Sequence, residues 1–181
     1  QLFRRMVRSF AEKEIRPLAA IIDREHRVPW ETIEIAAKLG LMGVPFPQKY
    51  DGVGGGEIGY CILMQEVNRV CTSTATIIGA HTGIAAMAIY LDGSEEQKQT
   101  YLRPLARGQK IGAFALTEAG AGSDAAAIKT TAVRDGQDYV LNGTKQFITN
   151  GDIAEIVVVM AATDPSLGAH GGITAFIVEK E

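Results

Sequence analysis

The sequence predicts an α+β fold: an all-helical N-terminal bundle followed by an antiparallel, barrel-like β domain. Three observations carry this. Through the first hundred or so positions, apolar residues recur at three- and four-residue spacing, the period of amphipathic helices. From Lys110 onward the chain turns to short β-branched or aromatic runs. Those runs are separated by Asp135-Gly136, Asn142-Gly143, Asn150-Gly151 and Gly171-Gly172, dipeptides that favour tight turns. Helices and strands are therefore segregated rather than alternating, with a helical domain over 1–109 and a β domain over 110–181.

The first helix places Phe3, Met6, Val7, Phe10 and Ala11 on one face, with Arg4, Arg5, Arg8, Glu12 and Lys13 between them. Pro17 is expected to kink or interrupt it before Leu18, Ile21 and Ile22. The second helix has Pro29 in its first turn and Gly40 just past Leu39. Residues 41–56 read as a loop without regular structure, because Pro45, Pro47 and Gly54-Gly55-Gly56 oppose it, and the glycine run reads as a solvent turn. Residues 58–70 and 75–91 are bundle helices, the second apolar nearly all round. Ser94-Glu95-Glu96-Gln97 is a capping box opening a helix that ends near Gly108. Strands are expected over 111–116, 129–133, 139–141, 156–160 and 173–178.

With 181 residues, 46% hydrophobic and 22% charged, the chain holds enough apolar material for a core. Its net charge of -3 and interspersed Lys and Arg give no basic stripe, which argues against nucleic-acid binding. Cys61 and Cys71 lie in apolar helical patterns and are expected to be buried thiols. His26, His81 and His170 share no spacing with them or each other, so no metal site is expected. No transmembrane helix is expected. The first residues lack an initiator Met and read as trimmed, which leaves targeting signals unread.

Gly120-Ala121-Gly122-Ser123-Asp124-Ala125 fits the dinucleotide pattern G-x-G-x-x-A. That pattern requires a long crossover helix, whereas residues 126–133 run into a hairpin at Asp135-Gly136. The Rossmann reading therefore fails, and no GK[ST] supports a P-loop. Gly120 and Gly122 instead permit positive φ and close approach of amides to a ligand. Ser123 adds a hydroxyl suited to a pyrophosphate oxygen, while Leu116 offers backbone groups and Thr117 a hydroxyl to a polar ring edge. Downstream, Phe147 and Ile148 can cover one face of a flat ring, with Thr149 bonded to a ring nitrogen. Either segment alone reads as a turn. Together they point to a flavin site.

These segments resemble the acyl-CoA dehydrogenase family. The resemblance covers essentially the whole chain, including Gly93-Ser94-Glu95-Glu96-Gln97-Lys98 with Tyr101-Leu102, residues 114–124, Asn142-Gly143-Thr144-Lys145, residues 147–151 and residues 172–178. It implies that the β domain is a truncated middle domain and that a C-terminal helical bundle is absent from this chain. It also implies FAD held non-covalently between the β domain and the C-terminal bundles of two subunits, in a homodimer or homotetramer. By matching position, Phe114, Ala115, Leu116, Thr117, Gly122 and Ser123 run along the cofactor, with Leu116 and Thr117 at the pyrimidine edge. Ser123 lies near the pyrophosphate and the CoA part of the substrate, while Phe147, Ile148 and Thr149 flank the isoalloxazine, the Thr149 hydroxyl towards N5.

The implied chemistry is α,β-dehydrogenation of a fatty acyl-CoA to the trans-2-enoyl-CoA, in β-oxidation, with electron-transferring flavoprotein as acceptor. An acyl-CoA oxidase or related flavin monooxygenase on the same scaffold is one alternative, and a non-catalytic acyl-CoA-binding homologue is another. The general-base Glu is expected from the C-terminal bundle, so no catalytic residue is assigned here and the fragment alone is expected to be inactive. Glu118 reads as structural. Ala119 stands where the family often has Pro, which implies a slightly looser loop. Ala85, Ala86 and Ile89 are placed near the acyl tail by analogy, though core packing accounts for them equally well, and His81 reads as a structural histidine. Bacterial cytoplasm and mitochondrial matrix both fit. Acyl chain length stays open.

Overall fold

In the computed structural model, which describes residues 1–168 and 170–180, helices occupy the first part of the chain and a sheet the second. Helix α1 (Leu2–Phe10) runs through a π-helical turn (Ala11–Ile15) into α2 (Arg16–Glu25). Pro17 does not break it. A proline removes an N–H and crowds the preceding turn, and the widened turn directly before it accommodates both. Val7, Phe10, Ala11 and Ile15 form its buried face. Helix α3 (Trp30–Lys38) follows Pro29 and stops at Gly40, whose φ is 72°.

Residues 41–56 are more ordered than expected. They contain two short 3₁₀ turns, Leu41–Gly43 and Gln48–Tyr50. Leu41, Met42, Val44, Phe46 and Tyr50 are buried. Pro and Gly forbid a long helix here, but not single turns, and the apolar residues between them carry the segment into the core. Gln48, Lys49 and the stretch Val53 to Gly55 stay exposed.

Helix α4 (Gly56–Asn68) buries Gly59, Leu63, Glu66 and Val67. Cys61 is exposed rather than buried, because a residue two places from both Gly59 and Leu63 points to the opposite face. Cys71 is half-buried. Beneath Glu66 the core continues, while its carboxylate accepts from Arg4, Arg8 and Arg69 at 2.7–3.0 Å. The bond from Arg8 leads in holding Glu66 down to about 2, against the opposing effect of burial.

The central helix, Thr72–Asp92, comprises α5 (Thr72–Gly79), a π-helical segment (Ala80–Ala86) and α6 (Met87–Asp92). Against the expectation of none, its length and apolarity match a membrane span. No charge interrupts it before Asp92. The physical reason lies in its position: Ile78, His81, Thr82, Ala85, Ala86 and Ile89 are buried inside the protein, and the Thr82 hydroxyl donates to the Met42 carbonyl at 2.9 Å. Beyond it, the Ser94–Gln97 capping box is present in both directions and opens α7 (Glu95–Gln97), with α8 (Arg103–Ala106) following a further π-helical turn.

The sheet comprises β1 (Gly112–Ala115), β2 (Thr131–Asp135), β3 (Asp138–Asn142), β4 (Ile156–Ala162) and β5 (Ile173–Glu179). Strand β4 is central. Antiparallel β5 lies along one edge, while parallel β1 and, at Thr131↔Ala162, β2 share the other. The β2–β3 hairpin turns at Gly136, whose φ is 62°.

The sheet is thus mixed, not purely antiparallel, and it does not close into a barrel. Its parallel pair arises because β1 is joined to β4 by a long connection, a relation that local turn signals do not encode. Tyr139 of β3 approaches Phe176 of β5 with ring centroids 5.1 Å apart, so the sheet curls without the two strands pairing.

Candidate functional site

Strand β1 carries the first of the two segments, and buried side chains fix its start. The Gly112 N–H donates to His81 Nδ1 at 3.0 Å, so Nε2 carries the ring proton and donates to the Leu105 carbonyl at 3.1 Å. Burial pushes His81 down to about 4, keeping it neutral. His81 is structural, as its sequence context predicts. The Gly112 carbonyl accepts from Asn150 Nδ2 at 3.2 Å, and the same amide donates to Ile77 O at 3.0 Å.

Beyond β1, Glu118 and Ala121 exchange backbone hydrogen bonds of 3.0 and 3.1 Å, closing a tight turn over Ala119 and Gly120 without a proline. Neither Gly120 nor Gly122 has positive φ, contrary to one use suggested for them. A side chain added at either would meet open space, so no packing within the chain requires glycine there. Gly122 and Ser123 are exposed.

The second segment is not a strand end. Residues 145–150 form an irregular arch in which Phe147 has φ 57° and Asn150 φ 66°. Phe147 is 88% exposed, Thr149 is exposed, and Ile148 packs partly into the core. A bulky residue in the left-handed region is uncommon and holds only where its surroundings impose it. Here Lys145 and Asn150 fasten the two ends of the arch.

These contacts bring the two segments together. Lys145 Nζ donates to the Leu116 carbonyl at 2.9 Å and to Glu118 at 2.7 Å, and the Gln146 N–H donates to the Thr117 carbonyl at 2.9 Å. Glu118 also accepts from Lys129 N, Thr130 N and the Thr130 hydroxyl. Burial pushes its carboxyl up, but the bond from Lys145 and those from Thr130 and Lys129 outweigh it and bring the group down to about 2. Glu118 is an ionised structural tie.

An open hollow of about 660 Å³ lies over the arch, lined by Ala115, Phe147, Ile148 and Thr149 among others. Phe114 faces the other way, into an apolar cavity of about 420 Å³ between the sheet and α6. Alternation along β1 separates these two neighbours. Ala85 and Ala86 are fully buried, whereas Ile89 reaches the wall of the apolar cavity. Among the described residues, the hydroxyls of Thr117, Ser123 and Thr149 have no hydrogen-bond partner within the chain, and no cluster suited to a metal is present.

Sequence reasoning missed Lys145, Gln146 and Asn150 as the residues that join the segments. Their signal is faint: a lysine needs an anionic partner only if it is buried, which the polar run Asn142-Gly143-Thr144 before Lys145 does not announce, and Asn150-Gly151 reads only as a turn.

Residues 1–109 match the family model of the acyl-CoA dehydrogenase N-terminal domain, and residues 113–181 match that of the middle domain. The chain is 49% identical over 180 residues to the short-chain specific acyl-CoA dehydrogenase of Clostridium acetobutylicum, covering 99% of this chain and 47% of that protein. It superposes with a TM-score of 0.96 and 43% identity on a chain in the structure described as the electron transferring flavoprotein of Acidaminococcus fermentans, covering 99% of this chain and 47% of that one. For the acyl-CoA dehydrogenase complexed with FAD from Bacillus anthracis the TM-score is 0.90 at 36% identity, covering 99% of this chain and 30% of that one. The chain spans about half the length of the curated relative it matches.

Proposed function

Because the chain belongs to the acyl-CoA dehydrogenase family, we propose that residues 1–181 supply the helical and middle β parts of an FAD-dependent enzyme that oxidises a short-chain acyl-CoA to its trans-2-enoyl-CoA. The observation that carries this reading is the joining of the 116–123 and 145–150 segments by Lys145 and Gln146, beside hydroxyls with no partner of their own. The residues fit the cofactor. Space at Gly120 and Gly122 admits a ligand against the backbone, and Phe147 offers an exposed aromatic face.

The chemistry that FAD supplies when bound is acceptance of the substrate's β-hydrogen as hydride. The chain's own part is to bind and orient. Leu116 and Thr117 supply backbone groups and a hydroxyl to the polar edge of the ring, and Ser123 supplies a hydroxyl to the phosphates and the CoA end of the substrate. Ala115, Phe147 and Ile148 cover one side, and the Thr149 hydroxyl donates at the reactive nitrogen. Phe114 contributes from the apolar side of β1. Removal of the α-proton needs a carboxylate with a free oxygen. Glu118 does not serve, since four donors already occupy it. The base belongs to the length of the relatives that this chain does not span. Electrons pass on to an electron-transferring flavoprotein, and the protein works as a homo-oligomer.

Anaerobic mixing of the full-length protein with butyryl-CoA tests this. Bleaching of the oxidised flavin spectrum, followed by slow reoxidation in air and fast reoxidation by electron-transferring flavoprotein, is expected. No bound flavin, or no bleaching, would overturn the assignment, and rapid reoxidation in air would make the protein an oxidase.

A further inference from the structure

We propose that Lys145 is a positioning residue for the bound flavin: its ammonium fastens the 145–150 arch to the Leu116 carbonyl and the Glu118 carboxylate, and so sets the spacing between the two segments that hold the ring. The inference rests on the flavin reading above and goes beyond it. Phe147 has almost no packing of its own to aim it. Its direction follows from the backbone, and that backbone is held at one end by Lys145 together with the Gln146 N–H and at the other by Asn150, bonded to Gly112 and Ile77.

An apolar side chain at position 145 would bury more easily. The Lys145 side chain is only 11% exposed, and an ammonium is desolvated at a cost that a methylene chain avoids. What the ammonium adds is direction. It donates to two acceptors, both on the opposite segment, at 2.9 and 2.7 Å. Glu118 in turn holds the start of β2 through Lys129 and Thr130. One ion pair therefore registers the 116–121 turn, the start of the hairpin and the arch against one another.

Lys145→Met alone strands a buried carboxylate, so the deciding variant is the double substitution Glu118→Gln/Lys145→Met, which removes both charges at nearly constant volume. It is made in the full-length protein beside Glu118→Gln and Lys145→Arg, and each is measured for FAD dissociation, flavin visible spectrum and thermal midpoint of the apoprotein. Because Glu118→Gln also turns an amide NH2 towards a backbone donor, Glu118→Gln alone is the reference. The double variant is expected to bind FAD about tenfold or more weakly than it, with a shifted flavin band, while the two apoproteins melt within about 4 °C of each other. Lys145→Arg, which keeps the cation and its donors, is expected to stay within about threefold. Affinity and spectrum in the double variant unchanged from those of Glu118→Gln would overturn the proposal. So would a loss that only follows a fall in apoprotein midpoint and that Lys145→Arg does not relieve, since Lys145 would then serve stability alone. Failure of the unsubstituted protein to take up FAD would instead overturn the flavin reading itself.

Discussion

His81 and Gly112 are joined by a 3.0 Å hydrogen bond that ties the central helix to the first residue of β1. The other ring nitrogen holds the Leu105 carbonyl, so one imidazole registers helix, helix end and strand. The strand that leads into the 116–123 loop thus starts from a point fixed in the helical core.

Acid should loosen that point. The neutral ring is the folded form, and burial lowers its pKa from 6.5 to about 4. Between those values the unfolded chain takes up a proton that the folded chain refuses, so stability rises with pH. The contribution, about 3 kcal/mol, is complete above pH 6.5 and lost as pH falls towards 4. Urea unfolding from pH 7 to pH 4 should show this slope, and His81→Asn should flatten it while lowering stability at pH 7.

Two glycines should respond oppositely to alanine. At Gly112 a new Cβ would lie 2.9 Å from Ala85 Cβ and 3.3 Å from Leu105 Cδ2. Gly112→Ala should therefore cost about 1–3 kcal/mol of stability. At Gly122 a Cβ meets nothing within 4 Å. Gly122→Ala should leave the unfolding midpoint near that of the parent and weaken FAD binding, as titration of the apoprotein would reveal.

Thr149→Val tests the exposed hydroxyl at the arch. Thr149 is exposed and its hydroxyl bonds nothing in the chain, so stability should change by less than about 0.5 kcal/mol. Stopped-flow reduction by butyryl-CoA should slow, or the flavin spectrum shift. A parental rate and spectrum together would remove Thr149 from the site.

Glu66 should matter to stability without touching flavin. Its buried carboxylate gathers Arg4, Arg8 and Arg69. Glu66→Gln should cost about 1–2 kcal/mol, because the three guanidinium groups lose a shared charge-assisted partner but remain partly hydrated. The carboxyl is lowered from 4.5 to about 2, so its contribution is present above pH 4.5 and lost as pH falls towards 2. Denaturant melts of the variant at pH 6 and at pH 3 should therefore differ from the parent more at the higher pH.

Helix and strand positions were legible because periodicity and turn dipeptides act locally. Gly40, Gly136 and the Ser94–Gln97 box sit where their chemistry puts them. Features set by distant partners were not legible. Nothing near β1 announces β4 as its parallel neighbour, and nothing near Cys61 states which side of α4 the core will cover. In the site, the pairing of the two segments came from their combined chemistry and family resemblance. The left-handed Phe147 and the Lys145–Glu118 tie did not, because both depend on contacts made across the fold.

The parallel pairing of β1 with β4 also bears on how the chain acquires its shape. Among the described residues β1 pairs with β4 alone, so its ladder closes a loop that spans the whole β2–β3 hairpin. Both segments joined by Lys145 lie inside the loop that the β1–β4 pairing closes. Holding them in place therefore carries the loop-closure cost of a non-local contact. A chain that stopped short of β4 would carry both sequence motifs without the strand that pairs with β1.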